Sequence, residues 1–219
     1  MRKKALIVQG GWEGHEPAKV SQVFSDILTE EGFQVEVSDT LDSFLDEINL
    51  MNLNLIVPVW SMGEIKDEHL QPVLKAVASG VGMAGCHGGM CDSFRNSVEW
   101  QFMTGSQWVA HPGNDGVEYE VNIVKSSSSS IIHNIKDFKV RTEQYYLHID
   151  PAINVLATTT FGINEESCST NGSITMPVLY TKTWGKGKVF YNSLGHNVEI
   201  FNIPEVRELT RRGFLWAAK

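Results

Sequence analysis

Val81-Gly82-Met83-Ala84-Gly85-Cys86-His87-Gly88-Gly89-Met90-Cys91-Asp92-Ser93-Phe94 is the stretch on which the fold turns. A short apolar run ends in Gly85-Cys86-His87-Gly88-Gly89, and a helix is expected to open at Asp92 or Ser93, so the stretch reads as a buried strand turning sharply into a helix. Such a turn is where an α/β protein displays a reactive side chain, because glycines tolerate positive φ and let a ligand approach the backbone. Gly85 and Gly89 bracket His87 at the position a nucleophile would hold, and Cys86 stands one place too early. A Gly-rich turn with an incidental histidine is the bland alternative.

The residues before this turn supply the rest of a parallel sheet. Residues 5–9, 33–37 and 54–60 are short apolar strands, and residues 17–31, 41–48 and 66–78 are expected helices between them. In the first helix Val20, Phe24, Ile27 and Leu28 share one side, with Pro17 at its start and Gly32 at its end. This βαβαβα order calls for right-handed crossovers and puts functional loops at the carboxyl ends of the strands. Trp12, His15 and Glu16, then Trp60 to Gly63, then His87 should therefore open on one edge. Gly10-Gly11-Trp12-Glu13-Gly14 lacks the Gly-x-Gly-x-x-Gly spacing of a dinucleotide loop, and its indole and carboxylate would crowd and repel a pyrophosphate.

Beyond the turn, residues 92–102 are expected to form a helix that carries Phe94, Val98 and Phe102 towards the sheet, with Gly105 ending it. His111 precedes Pro112 and so should be extended, either lining the cleft or lying on the surface. Residues 117–124 alternate as a strand, Ser126 to Ser130 read as a solvated loop tip, and His133 as a surface residue. Within residues 138–150, Glu143 and Tyr145 lie two apart and would share a face if the strand runs that far; His148 follows it. Residues 153–160 are a further strand, 162–172 a polar loop, 176–192 a β-hairpin leading to Gly195-His196, and 204–217 a closing helix.

The 219 residues suit one domain spanning 1–219, and 42% hydrophobic with 20% charged content is ordinary for a globular chain. A net charge of −8 disfavours nucleic acid and anionic membranes as partners. No apolar run approaches the ~18 residues of a membrane span, and the basic start runs into too short a strand for a signal peptide. Cys86, Cys91 and Cys168 are odd in number and scattered, which points to a reducing, cytoplasmic setting. Apolar exposure on the last helix or the hairpin would make a homo-oligomer reasonable.

Gly14-His15-Glu16, Gly85-x-His87-x-Gly89, Glu143-x-Tyr145, and Trp184-Gly185-Lys186-Gly187-Lys188-Val189-Phe190-Tyr191 followed by Gly195-His196 together resemble the ThuA-like family of trehalose utilisation proteins, nearly end to end. The resemblance implies a fold similar to class I glutamine amidotransferases: α/β, flavodoxin-like, a mostly parallel sheet flanked by helices, with a C-terminal β-hairpin and helix. It departs from those enzymes where their chemistry resides. His87 stands where their cysteine nucleophile belongs, and two residues after His196 comes Val198 and not an acid, so a γ-glutamyl thioester has no obvious origin. Cys86 is the fallback nucleophile, though a thiol at a buried strand end is more often inert.

His87, Glu143, Tyr145 and His196 are accordingly the expected catalytic residues, with Trp12, His15, Trp60 and His111 framing a substrate. Imidazoles with one carboxylate suit a proton relay, or a divalent metal such as Zn2+ on His15, His87 and His196. The resemblance implies disaccharide catabolism through 3-keto intermediates, so the expected partner is a small carbohydrate and the expected chemistry is isomerisation, hydrolysis or elimination of a keto-sugar. Two alternatives stand beside it: a non-catalytic sugar-binding or regulatory module, in which aromatic side chains should dominate the cleft, and a zinc-dependent hydrolase.

Overall fold

Four of the strands before residue 90 and one near the C-terminus run side by side, which is what brings distant loops together. The computed structural model describes residues 2–162 and 171–219. In chain order the elements are β1 (Lys4–Gly11), α1 (Pro17–Glu30), β2 (Gln34–Ser38), α2 (Glu47–Met51), β3 (Leu55–Ser61), α3 (Asp67–Ser79), β4 (Gly82–Cys86), α4 (Gly88–Cys91), α5 (Val98–Thr104), β5 (Ser106–Ala110), β6 (Val117–Ile123), β7 (Phe138–Thr142), β8 (Tyr146–Ile149), β9 (Asn154–Phe161), β10 (Ile174–Trp184), β11 (Gly187–Asn192) and α6 (Pro204–Ala217). The large sheet has the order β2-β1-β3-β4-β11-β10-β9-β6-β7. It is parallel from β2 through β11 and antiparallel from β10 outward. β5 and β8 pair separately as a small antiparallel sheet.

Central parallel strands are covered on both faces, and the sequence of β1 reflects it: Ala5 to Val8 are all buried. Alternation then splits the run, sending Ala5 and Ile7 into one core and Leu6 and Val8 into the other. The first core is closed by α1 and α6, where Phe24 meets the edges of Phe201 and Phe214 at 5.2 and 5.0 Å. The second is closed by α3 and α5 through Leu70, Val73, Trp100 and Met103. The β10–β11 hairpin forms as expected around Gly185, and β11 returns parallel to β4, so its end opens on the same edge as the end of β4.

Three local expectations are corrected. The helix placed at residues 92–102 does not begin there: the short helix α4 ends at Cys91, residues 92–97 form an irregular link of turns, and α5 begins at Val98 with Ser97 Oγ accepting from Trp100 N. The link is not helical because its carbonyls bond to β3's continuation, Met62 N to Asp92 O at 2.8 Å and Gly63 N to Ser93 O at 2.7 Å. Val98 and Phe102 consequently face outward, and Trp100 and Met103 take the inward positions. Residues 41–48 divide into a 3-10 turn, Leu41–Phe44, and the start of α2. The strand does not run as far as Glu143 and Tyr145, the condition for their sharing a strand face: it ends at Thr142, and Tyr146 already belongs to the small sheet. The polar loop at residues 162–172 lies mostly outside the described residues, Cys168 with it. No helix among the described residues is long and apolar enough to cross a membrane.

Candidate active site

The carboxyl ends of the parallel strands deliver four groups to one place. His15 ends the 3-10 turn Glu13–His15 after β1, Ser61 ends β3, His87 follows β4, and His196 follows β11. His87 adopts φ 47° and ψ −144°, a conformation that L residues avoid, and its N–H donates to Asn192 O at 2.7 Å, tying the turn to β11. Two glycines make room for the crowding. A Cβ at Gly88 would lie 2.7 Å from His15 Cε1, and one at Gly195 (φ 151°) would lie 2.6 Å from Cys86 Sγ. Gly195→Ala is therefore expected to cost ~1–3 kcal/mol in urea unfolding and to push His196 off the cluster. Unfolding and activity both equal to the parent protein's would show that this loop is not packed as described.

Glu143 and Tyr145 arrive from the antiparallel half, on the segment between β7 and β8. Gln144 pins that segment by donating to Thr159 Oγ1 at 2.7 Å, and Tyr119 OH donates to Glu143 O at 3.0 Å. Between the pins, Glu143 Oε2 sits 3.2 Å from His87 Nε2 and 3.3 Å from His196 Nδ1, while Oε1 is 3.8 Å from His111 Nε2. The approach is close but not along hydrogen-bond directions. His87 Nε2, Glu143 Oε2 and His196 Nδ1 are all buried, and none has a hydrogen-bond partner among the described residues.

Three unpartnered donors at that spacing have a specific chemical meaning. Donors around a tetrahedral Zn2+ with bonds of ~2.0–2.1 Å lie ~3.3–3.4 Å apart. Ligand atoms of His15, His87, Glu143 and His196 all fall within 4.8 Å of one another. Two of the rings are oriented from behind: His15 Nδ1 bonds Ser61 Oγ at 2.8 Å and His87 Nδ1 bonds Tyr145 OH at 3.0 Å, which leaves each Nε2 for the centre. His196 Nε2 lies 3.9 Å from Asp115 Oδ2. The donor set therefore fits a divalent cation, with Glu143 added to the three histidines expected from sequence.

Burial and neighbouring charges hold three of the four donors, His15, His87 and Glu143, in their deprotonated forms, and favour the protonated form of His196. Burial, helped by His87 and His196, lowers His15 to about 3, and burial lowers His87 to about 4 against the opposing pull of Glu143. For Glu143 burial acts upward, but the imidazoles of His196 and His87 outweigh it and hold the carboxyl far below the usual range. The Glu143 carboxylate beside it raises His196. Burial raises the phenol of Tyr145, keeping it protonated. Neutral imidazoles and an anionic carboxylate are the forms that bind a cation.

His15 and Glu143 of the cluster, with Trp12, Met62, Asp92, Arg95, Trp108, His111 and Tyr145, line a cleft of about 380 Å³, and His87 lies buried behind it. Trp12 and Met62 are half exposed at its mouth. Arg95 is clamped by Asp92, Nε to Oδ1 at 2.6 Å and Nη2 to Oδ2 at 2.8 Å, and its guanidinium lies 4.6 Å over the Trp108 ring. A roomier groove of about 640 Å³ runs along Ser126 to Ser130, but it holds no titratable side chain.

Of the residues expected to act, Trp12, His15, His87, His111, Glu143, Tyr145 and His196 come together here. Trp60 does not: Ser61 turns to His15, so period-two alternation turns Trp60 to the other face, where its ring packs over Gly10 and Gly63. Cys86 is buried at the end of β4, and burial raises its thiol to about 12, which disfavours the thiolate a nucleophile needs. His148 and His133 are exposed. Asp92, Arg95, Trp108 and Asp115 are not singled out by the sequence: Asp92 and Arg95 fall in the stretch expected to be helical, Trp108 and Asp115 carry no motif, and the chain-order proximity of Trp108 to His111 is the one hint of a wall; Ser61 lies in the loop expected at this edge but without a role.

Comparison with known proteins bears on the whole chain. The family model described as "ThuA: Trehalose utilisation" matches residues 4–217. No curated protein matches. Among solved structures, a chain from Bacteroides uniformis ATCC 8492 described as ThuA-like superposes with TM-score 0.78 at 15% identity, covering 99% of this chain and 91% of that one. A second, from Parabacteroides merdae ATCC 43184 and likewise described as ThuA-like, gives 0.75 at 18% identity, covering 100% and 91%. A cytoplasmic protein of Salmonella typhimurium LT2 gives 0.69 at 14% identity over 99% and 100%. At such identities the likeness is one of fold.

Proposed function

The chain belongs to the ThuA, trehalose utilisation, family, and from that premise and the site's geometry we propose that it moves a proton on a keto-sugar beside a divalent cation held by His15, His87, Glu143 and His196. The observation that carries the reading is the set of buried, unpartnered atoms His87 Nε2, Glu143 Oε2 and His196 Nδ1, spaced as metal ligands are. A cation bound there would supply Lewis acidity towards a sugar carbonyl or hydroxyl oxygen.

The chain's own groups do the rest. His111 borders the cleft outside the four donors, and an imidazole is the side chain most used to take and return a proton. It removes the proton from the carbon beside the ketone. If His87 presents Nε2 to the centre, its Nδ1–H donates to the Tyr145 oxygen, and the buried phenol keeps its own proton to donate to a substrate oxygen. In a 3-keto-glycoside the carbon next to the acidified one bears the glycosidic oxygen. Loss of the proton can then break that C–O bond, with the departing oxygen protonated, or the proton can return at the neighbouring carbon and isomerise the sugar. Trp12 and Trp108 offer aromatic faces to the ring, and the Arg95–Asp92 pair offers donors and acceptors to its hydroxyls. The abundance of acid in the chain favours a neutral sugar over nucleic acid, and the free thiols Cys86 and Cys91 suit a reducing cytoplasm.

Incubation of 3-keto-glycosides with the protein in D2O, followed by NMR, tests the reading directly. Expected is washout of the proton beside the ketone, at least ~100-fold slower after chelation and restored by added Zn2+, Mn2+ or Co2+. Full exchange after exhaustive chelation would remove the cation from the account. Stabilisation by sugars without any exchange would leave a binding module.

A further inference from the structure

Glu16 lies outside the donor set, yet it connects two of the loops that build it. Its backbone is left-handed, φ 49° and ψ 48°, where it closes the turn bearing His15 by donating its N–H to Glu13 O at 2.9 Å, just before the first residue of α1. The side chain reaches further. Oε2 accepts from Val198 N at 3.0 Å, across 182 residues, while Oε1 takes Lys19 Nζ at 2.6 Å. Val198 opens the 3-10 turn Val198–Asn202, and Asn197, at the capping position of that turn, makes no side-chain cap bond. Glu16 thus caps the turn from another part of the chain.

His196 precedes that turn by two residues. On its upstream side the loop is held by Leu194 N to Asn192 Oδ1 at 2.9 Å and by the close packing of Gly195 on Cys86 and His87. The downstream hold is the Glu16 bond. We propose that Glu16 is a positioning residue: by fixing Val198 N–H it sets His196 Nδ1 against Glu143 Oε2 and so controls how tightly the four donors take a divalent cation. The inference rests on the cation reading above, and it concerns a residue that touches neither the donors' centre nor the cleft.

Cobalt titration of the metal-free protein, read by d–d absorbance, tests it with Glu16→Ala, Glu16→Gln and, on the exposed first turn of the same 3-10 segment, Glu199→Gln. Expected for Glu16→Ala is Co2+ affinity ~10–100-fold weaker with a shifted band, the range seen when outer partners of metal ligands are removed. Glu16→Gln keeps an oxygen for Val198 N–H and should recover to within ~3-fold, and Glu199→Gln should match the parent. A Glu16→Ala protein that melts lower but binds Co2+ with parental affinity and spectrum would reduce Glu16 to a cap, and a Glu16→Gln protein as weak as the alanine variant would overturn the hydrogen-bond account. Should the parent protein bind no Co2+, the cation reading fails on its own, and the His196 ring resonances at fixed pH decide the matter: displaced in Glu16→Ala with those of His15 unmoved supports positioning, and unchanged overturns it.

Discussion

Glu143→Gln is expected to lower turnover of a 3-keto-glycoside by ~10³-fold or more while the fold persists. The carboxylate is the one anion among the four donors, and it lies within 3.3 Å of two imidazole nitrogens that have no other partner. Glutamine preserves the volume but removes the charge, and if its NH2 turned towards His87 or His196 it would place a donor where a lone pair is needed. The loss should therefore appear in turnover and in cation affinity together, at temperatures well below the melting temperature measured beside them. A variant that keeps more than a tenth of parental turnover would sink the assignment, since no remaining donor carries negative charge.

Acid should dismantle the same site from the stability side. His15 and His87 have folded values lowered to about 3 and about 4, against about 6.5 in the unfolded chain. Between those limits the unfolded state binds more protons, so their contribution is complete above pH 6.5 and declines as pH falls towards 4. His196 acts in the opposite sense: its raised value adds stability below pH 6.5 that is lost as pH rises through the folded value, and this offsets part of the decline. Glu143, lowered, adds a further loss below pH 4.5. For His87 alone, at ~1.4 kcal/mol per unit, the effect reaches about 3 kcal/mol near pH 4. Urea unfolding at pH 7.5, 5.5 and 4.5 should show this fall, and His15→Gln/His87→Gln should flatten it. An equally steep decline in the double variant would mean that other groups govern acid stability.

How much of this site could be read in advance depended on how local the signal was. The glycine-flanked His87 announced itself because a strand-to-helix turn needs residues that accept crowding and positive φ, and those are visible within five positions. His15 follows from the strand, loop and helix order, and His196 from the resemblance to enzymes that carry a histidine after a late strand. Glu143 and Tyr145 stand out for their chemistry, but a strand continuing through them is not what brings them here: the regular strand stops at Thr142, and both reach the cluster from an irregular link pinned by Gln144 and Tyr119. Trp60 was placed by loop position, and the alternation of β3 turned it away.

Strand and helix order, the parallel half of the sheet and the edge on which its loops open were determined by the sequence itself, because hydrophobic period and glycine placement act over a few residues and connection handedness does the rest. Which donors point at a common centre was decided only in three dimensions. Convergence of His15, His87, Glu143 and His196 to within 4.8 Å depends on β11 pairing with β4 and on the antiparallel half folding back over that edge, and these long-range pairings leave no mark in any short window of residues.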